Sequence, residues 1–215
     1  MTALSHSQKG IRTLVLVEGE SDAGAVRALA DLIGCDLASH HIEILSTRGV
    51  TNFSQVLADF VRSHPASDVC GMYDVADEWH VRRALAAAAI PIAPHQPLES
   101  VGFFACVADL EDELIRAVGV EAIEQLLDAQ AELTSFRRFQ AMPQHRHAPA
   151  HHQLHRFLGT RATRKIRSAR RLVEVLDPAR LPRPFAQLAA RLLEAASWNQ
   201  SRITDATTPS SRNGN

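Results

Sequence analysis

Apolar positions fall in short runs that alternate with stretches of helical period. Thr13 to Val17 is followed by helix-period positions over Ala23 to Ile33, and Ile42 to Leu45 by Asn52 to Arg62. Val69 to Tyr73 is followed by Glu78 to Ala88, and Val101 to Val107 by Leu110 to Val118. Strand, helix, strand, helix requires crossover connections, so the pattern predicts an α/β fold with a mainly parallel four-stranded sheet flanked by helices. The three prolines between Ile90 and Ser100 mark a loop into the last strand. After Gly119 no strand-like run follows. Helical periods near Glu121 to Ala129, His151 to Leu158, Ala162 to Leu176 and Phe185 to Ala195 predict a C-terminal helical extension, with Met142 to Ala150 a Pro/His-rich connector. The expected division is a polar tail over 1–10, an α/β domain over 11–119, a helical extension over 120–198 and a second tail over 199–215, both tails disordered.

Composition narrows the setting. With 23 basic against 24 acidic residues the chain has no overall basic field, so any polyanion-binding surface must be local. Cys35, Cys70 and Cys106 lie far apart in apolar settings, which reads as reduced core thiols and no disulfide framework. No signal-peptide core and no long apolar stretch is present, so no membrane association is expected and the expected compartment is the cytoplasm.

Candidate chemistry gathers where predicted strands end. The first strand runs into Glu18, turns at Gly19 and opens a helix at Asp22, which shares the apolar line of Val26, Leu29 and Ile33. Ligands collect at the carboxyl ends of parallel strands, so Glu18 and Asp22 can converge at a functional edge. The plainer alternative is that Ser21 or Asp22 caps the helix. A second strand stops at Asp74, with Asp77 and Glu78 in the next turn. After the last strand comes Asp109-Leu110-Glu111, with Glu111 beside the apolar side of its helix. Singly, acids at helix starts are favoured by the helix dipole. Together they would repel one another unless a cation sat among them, and an all-oxygen set suits Mg²⁺ or Mn²⁺ and phosphoryl chemistry.

The Glu18-Gly19-Glu20-Ser21-Asp22 strand end, the Thr47-to-Asn52 turn, Asp109-to-Leu114 and the Gly159-to-Lys165 segment make the chain resemble a Toprim domain of the OLD (overcoming lysogenization defect) nuclease family, in a form without the ATPase domain. The resemblance spans Ile11 to Leu193. It implies a Toprim fold, two metal ions, Mg²⁺ or Mn²⁺, held by Glu18, Asp22, Asp74 and Glu111 (one ion if the site is weakened), and a charge-stabilising Lys165, with DNA as substrate and an ATPase as a possible partner. The family's third strand usually ends Asp-x-Asp, whereas this chain reads Asp74-Val75-Ala76. Asp77 or Glu78 would have to replace the second acid through a shifted turn. Failing that, the chain would be a weakened module that binds nucleic acid or a partner ATPase without turnover.

Lys165 stands out on its own, because the only other lysine is Lys9 and arginine fills the remaining basic positions. Its helix is expected to bury Ile166, Ala169, Leu172, Val173 and Leu176, with Lys165 facing inward more than Arg164 or Arg171. From His155 to Arg171 there is no acid, and Arg161, Arg164 and Arg167 are candidates for the nucleic-acid backbone. A solvated helix face is the alternative. His145, His147, His151, His152 and His155 lack the pattern of a zinc site and read as a polar loop. A topoisomerase is excluded because the single tyrosine, Tyr73, falls in a strand, and a Rossmann site because no Gly-rich fingerprint follows the first strand.

Overall fold

The computed structural model describes residues 11–207, with side chains to Trp198. Four strands, β1 (Thr13–Val17), β2 (Ile42–Ser46), β3 (Asp68–Asp74) and β4 (Phe103–Cys106), form an all-parallel sheet in the order β2-β1-β3-β4. β1 is buried along its whole length because helices cover both faces. In the register Leu16 lies opposite Gly71, and a Cβ on Gly71 would stand 2.2 Å from the Leu16 carbonyl oxygen. Only glycine fits there, and the close approach brings the carboxyl ends of β1 and β3 side by side.

Alternating strand residues feed two cores. Leu14, Leu16, Val69, Tyr73 and Phe103 pack beneath α2 (Phe53–Ser63) and α3 (Glu78–Ala87). Val15, Val17, Ile44, Cys70, Met72 and Phe104 point the other way, to α1 (Glu20–Leu32) and α4 (Leu110–Val118). That second core continues without a break into α5 (Val120–Ala129), α6 (Leu133–Ala141), α7 (Ala150–Leu158), α8 (Ala162–Glu174) and α9 (Arg183–Thr207). α8 lies along α1, with Ile166 passing beside Gly24, and α9 reaches β3 and β4. The boundary expected after Gly119 is therefore crossed by one apolar cluster, and the extension completes a layer on the sheet.

Two expectations differ in detail. α6 had no counterpart in the sequence reading; its apolar positions Leu133, Phe136 and Phe139 are separated by Arg and Ser, yet Phe136 is fully buried. The tail expected from Asn199 is helical up to Thr207, since no Gly or Pro interrupts the chain before Pro209. The rest of that tail, and residues 1–10, lie outside the described residues. Cys35, Cys70 and Cys106 are free and buried. Among the described residues no helix is long and apolar enough to cross a membrane.

Candidate metal centre

Glu18 follows directly on β1, and the turn after β2 fixes it. The N–H of Thr47 donates to the carbonyl of Val17 at 2.9 Å and that of Gly49 to the carbonyl of Glu18 at 3.1 Å, which extends the β1–β2 ladder past the strands. Holding this turn takes positive φ at Arg48 (56°) and Gly49 (116°). The next residue, Val50, then aims its N–H at the Glu18 carboxylate. The Thr47-to-Asn52 segment is thus the support of Glu18, with Asn52 Nδ2 bracing it by donating to the carbonyl of Thr47 at 3.0 Å.

Asp22 lies in the first turn of α1. One carboxylate oxygen accepts the N–H of Gly19 at 2.9 Å and the other the Ser21 hydroxyl at 3.2 Å. The N-cap residue is Gly19 rather than Ser21 or Asp22, and Asp22 braces the helix start from its third position while also facing the other acids. Burial and the nearby acids raise the pKa of both Glu18 and Asp22, against a lowering by Lys165.

Asp74 ends β3. A 3-10 turn over Val75–Asp77 then swings Asp77 back toward the strand end, while Ala76 points to solvent. Glu18, Asp74 and Asp77 each offer an oxygen, all within 4.8 Å of one another. Glu78 is turned away and paired with Arg82 at 2.7 Å. Of the two residues able to stand in for the acid missing at Ala76, Asp77 is the one brought to the cluster. Burial and then Asp22, Asp109, Glu18 and Glu111 push the carboxyl of Asp74 up to about 7.

Glu111, in the first turn of α4, is 5% exposed, and its Oε1 accepts no hydrogen bond. Lys165 Nζ on α8 stands 3.3 Å from that oxygen. Burial works against the lysine's charge, but Glu111, Asp22 and Asp109 outweigh it and hold the ammonium above its usual pKa. Glu18, Asp22, Asp74, Glu111 and Lys165 are thus one electrostatic unit, although the tight oxygen trio contains Asp77 rather than Asp22 or Glu111.

The sequence reading missed a supporting shell. Asp109 is the N-cap of α4, accepting the N–H of Asp112 at 2.8 Å, and its other oxygen is 2.7 Å from His155 Nε2. Asp112 in turn meets His151 Nε2 at 2.5 Å and is gripped by Arg116. His151 and His155, four apart on α7, therefore clamp two acids three apart on α4. Burial pushes Asp109 up, but the His155 contact and the Asp112 N–H prevail and its pKa is lowered. The polar-loop reading of these two histidines is corrected: they belong to a helix whose inner side carries Leu154 and Phe157. The available signal was the match of His-x-x-x-His to Asp-x-x-Asp.

The arginines behave differently. Arg164 pairs with Glu132 at 2.7 Å and lies over the Phe157 ring, 4.2 Å from its centroid, and Arg167 also pairs with Glu132. With 12% of its side chain exposed against 44% for Lys165, Arg164 faces inward more than the lysine, opposite to expectation, because α6 and its leading Glu132 were not foreseen. Ile166 is 41% exposed rather than buried. Arg161 is exposed and has no ion pair among the described residues.

Residues 11–62 match the family described as overcoming lysogenization defect protein-like, TOPRIM domain. The fold is similar to that of the C-terminal region of the Burkholderia pseudomallei OLD protein, with 18% identity, 86% of this chain and 98% of that chain covered, and a TM-score of 0.61. The C-terminal region of the Xanthomonas campestris pv. campestris OLD protein is likewise similar, at 16% identity, 89% and 97% coverage and a TM-score of 0.64. No curated protein matches the sequence.

Proposed function

We propose that this chain, whose residues 11–62 match the OLD-like TOPRIM family and whose fold is similar to that of the C-terminal region of OLD proteins, is a divalent-metal-dependent nuclease that hydrolyses phosphodiester bonds of DNA. The observation that carries the reading is the convergence of Glu18, Asp74 and Asp77 at the carboxyl edge of the sheet, with Lys165 across from them. Like charges so close are stable together only with protons or a cation among them, and burial, followed by Asp22, Asp109, Glu18 and Glu111, pushes the Asp74 carboxyl up to about 7. The donors are all oxygen, which fits Mg²⁺ or Mn²⁺.

Glu18, Asp74 and Asp77 would hold the ion, with Asp22 and Glu111 adding to the anionic field around it. When bound, the ion supplies Lewis acidity at a phosphate oxygen and lowers the pKa of water beside it. Glu18, gripped from behind by the Val50 N–H, is placed to orient the attacking water or take its proton. Lys165, charged and partly exposed, donates to the phosphate oxygen on which negative charge grows. We place the reaction in the cytoplasm, with Arg161 touching the nucleic-acid backbone beside the lysine and an ATPase as the partner that would add specificity.

Plasmid nicking in Mn²⁺ or Mg²⁺ tests the reading. Glu18→Gln is expected to cut the rate by about 100-fold or more at an unchanged melting profile. Equal absence of nicking by both proteins across metals would overturn hydrolysis and favour a module that binds without turnover.

A further inference from the structure

The acids of the centre fall into two groups that differ in what already faces them. Glu18, Asp74 and Asp77 converge within 4.8 Å and are not ion-paired at contact distance among the described residues. In the second group nearly every oxygen is engaged. Asp22 is held by the Gly19 N–H and the Ser21 hydroxyl, and Asp109 by the Asp112 N–H and His155. Glu111 is the exception: buried, with an oxygen that accepts no hydrogen bond and Lys165 Nζ 3.3 Å away.

A buried carboxylate with one oxygen left without a hydrogen-bond donor is costly unless its charge is balanced, and the cation in contact with that oxygen is the Lys165 ammonium. A second divalent ion on Glu111 would do this, but it would have to share that oxygen with an ammonium already in contact with it, and cation would press on cation. The lysine is anchored by a helix packed along α1, so the charge is fixed by the fold rather than recruited from solvent. The side chain keeps 44% of its surface exposed, enough for an incoming phosphate oxygen to reach the ammonium from the solvent side.

We propose that Lys165 is the second cation of this centre: the chain takes up one divalent ion, at Glu18, Asp74 and Asp77, and the lysine ammonium holds the place on Glu111 that another ion would fill. This rests on the nuclease reading for the first ion alone. It departs from a two-ion site and makes the charge opposite the metal permanent.

The test is a titration of the full chain with Mn²⁺ and no nucleic acid, followed by calorimetry and by the electron paramagnetic resonance signal of free Mn²⁺. The wild type is expected to bind one ion per chain and Lys165→Met two, with the added ion lost again in Lys165→Met/Glu111→Gln. Lys165→Arg, which keeps a cation, is expected to return to one ion and guards against misreading a misfolded Met variant. Two ions in the wild type would overturn the proposal and leave the nuclease reading intact. None would overturn both, and one ion in a natively melting Lys165→Met protein would remove the lysine from the second position.

Discussion

Two charged regions of the chain, the acids behind the strand ends and the arginines that follow Thr160, begin with opposite spacing in sequence and end in opposite states. The acids are scattered over more than ninety positions, from Glu18 to Glu111, and the parallel sheet gathers them at one edge. The arginines are contiguous in sequence, but the helix disperses them: Arg164 and Arg167 to Glu132, Arg170 and Arg171 to Glu174. Charges left close and unbalanced store free energy that a ligand can release, whereas charges paired within the chain hold it together. Neutralising one member of each region should therefore change stability with opposite sign.

The largest effect is expected at Asp74. Its carboxyl is near 7 in the fold against an ordinary value of 3.8, so between these pH values the folded chain holds a proton that the unfolded chain has released. Its contribution to stability is complete below about pH 4 and is lost as pH rises through about 7. A shift of this size corresponds to at most ~4 kcal/mol, reduced to about 2 kcal/mol for a side chain that solvent partly screens. Metal-free protein should thus melt several degrees lower at pH 8 than at pH 5, and Asp74→Asn should recover most of the difference. Added Mn²⁺ should reverse the trend, because deprotonated acids bind it best. A metal-free melting temperature that rises steadily from pH 5 to 8 would show that burial and the neighbouring acids do not hold a proton on Asp74.

Arg164 supplies the opposite sign. Arg164→Ala removes a mostly buried guanidinium from Glu132 and from the face of Phe157, and about 1–2 kcal/mol of stability should go with it, since Arg167 remains to pair with Glu132. Denaturant melts read this directly. No loss would mean that α6 and α8 hold together by apolar contact alone.

How much of this was legible follows from the reach of each signal. The strands and the first four helices show in period and in strand-end acids because every β1 position is buried and the neighbouring helices carry plain apolar stripes. Glu18, Asp22, Asp74 and Glu111 could be picked out because a parallel sheet brings all its strand ends to one edge whatever the loop lengths, and Lys165 because only one other lysine, Lys9, occurs in the chain. What could not be read depends on pairings between distant helices. Nothing local links Glu132 to Arg164, and across 46 positions only the matched spacing of two histidines and two aspartates points from His155 to Asp109. The choice of Asp77 over Glu78 turned on one 3-10 turn and on the Arg82 that draws Glu78 aside, which no residue count distinguishes.

Arg161 gives the smallest effect and the sharpest test of the division between paired and unpaired arginines. It caps α8, four residues before Lys165, is exposed, and has no ion pair among the described residues. Arg161→Ala should leave the melting temperature within error, because an exposed charge without a partner contributes little to the fold. DNA affinity, measured in the Glu18→Gln background so that the substrate stays whole, should fall a few-fold at about 0.1 M salt, and the slope of log affinity against log salt should flatten by about one. Arg167→Ala is the control: its guanidinium already neutralises Glu132 and releases few counterions from a phosphate, so its salt slope should stay at the wild-type value. Equal flattening by both substitutions would mean that the ion pair with Glu132 opens when DNA arrives, and that the arginine run acts as one surface despite its partners in the free protein.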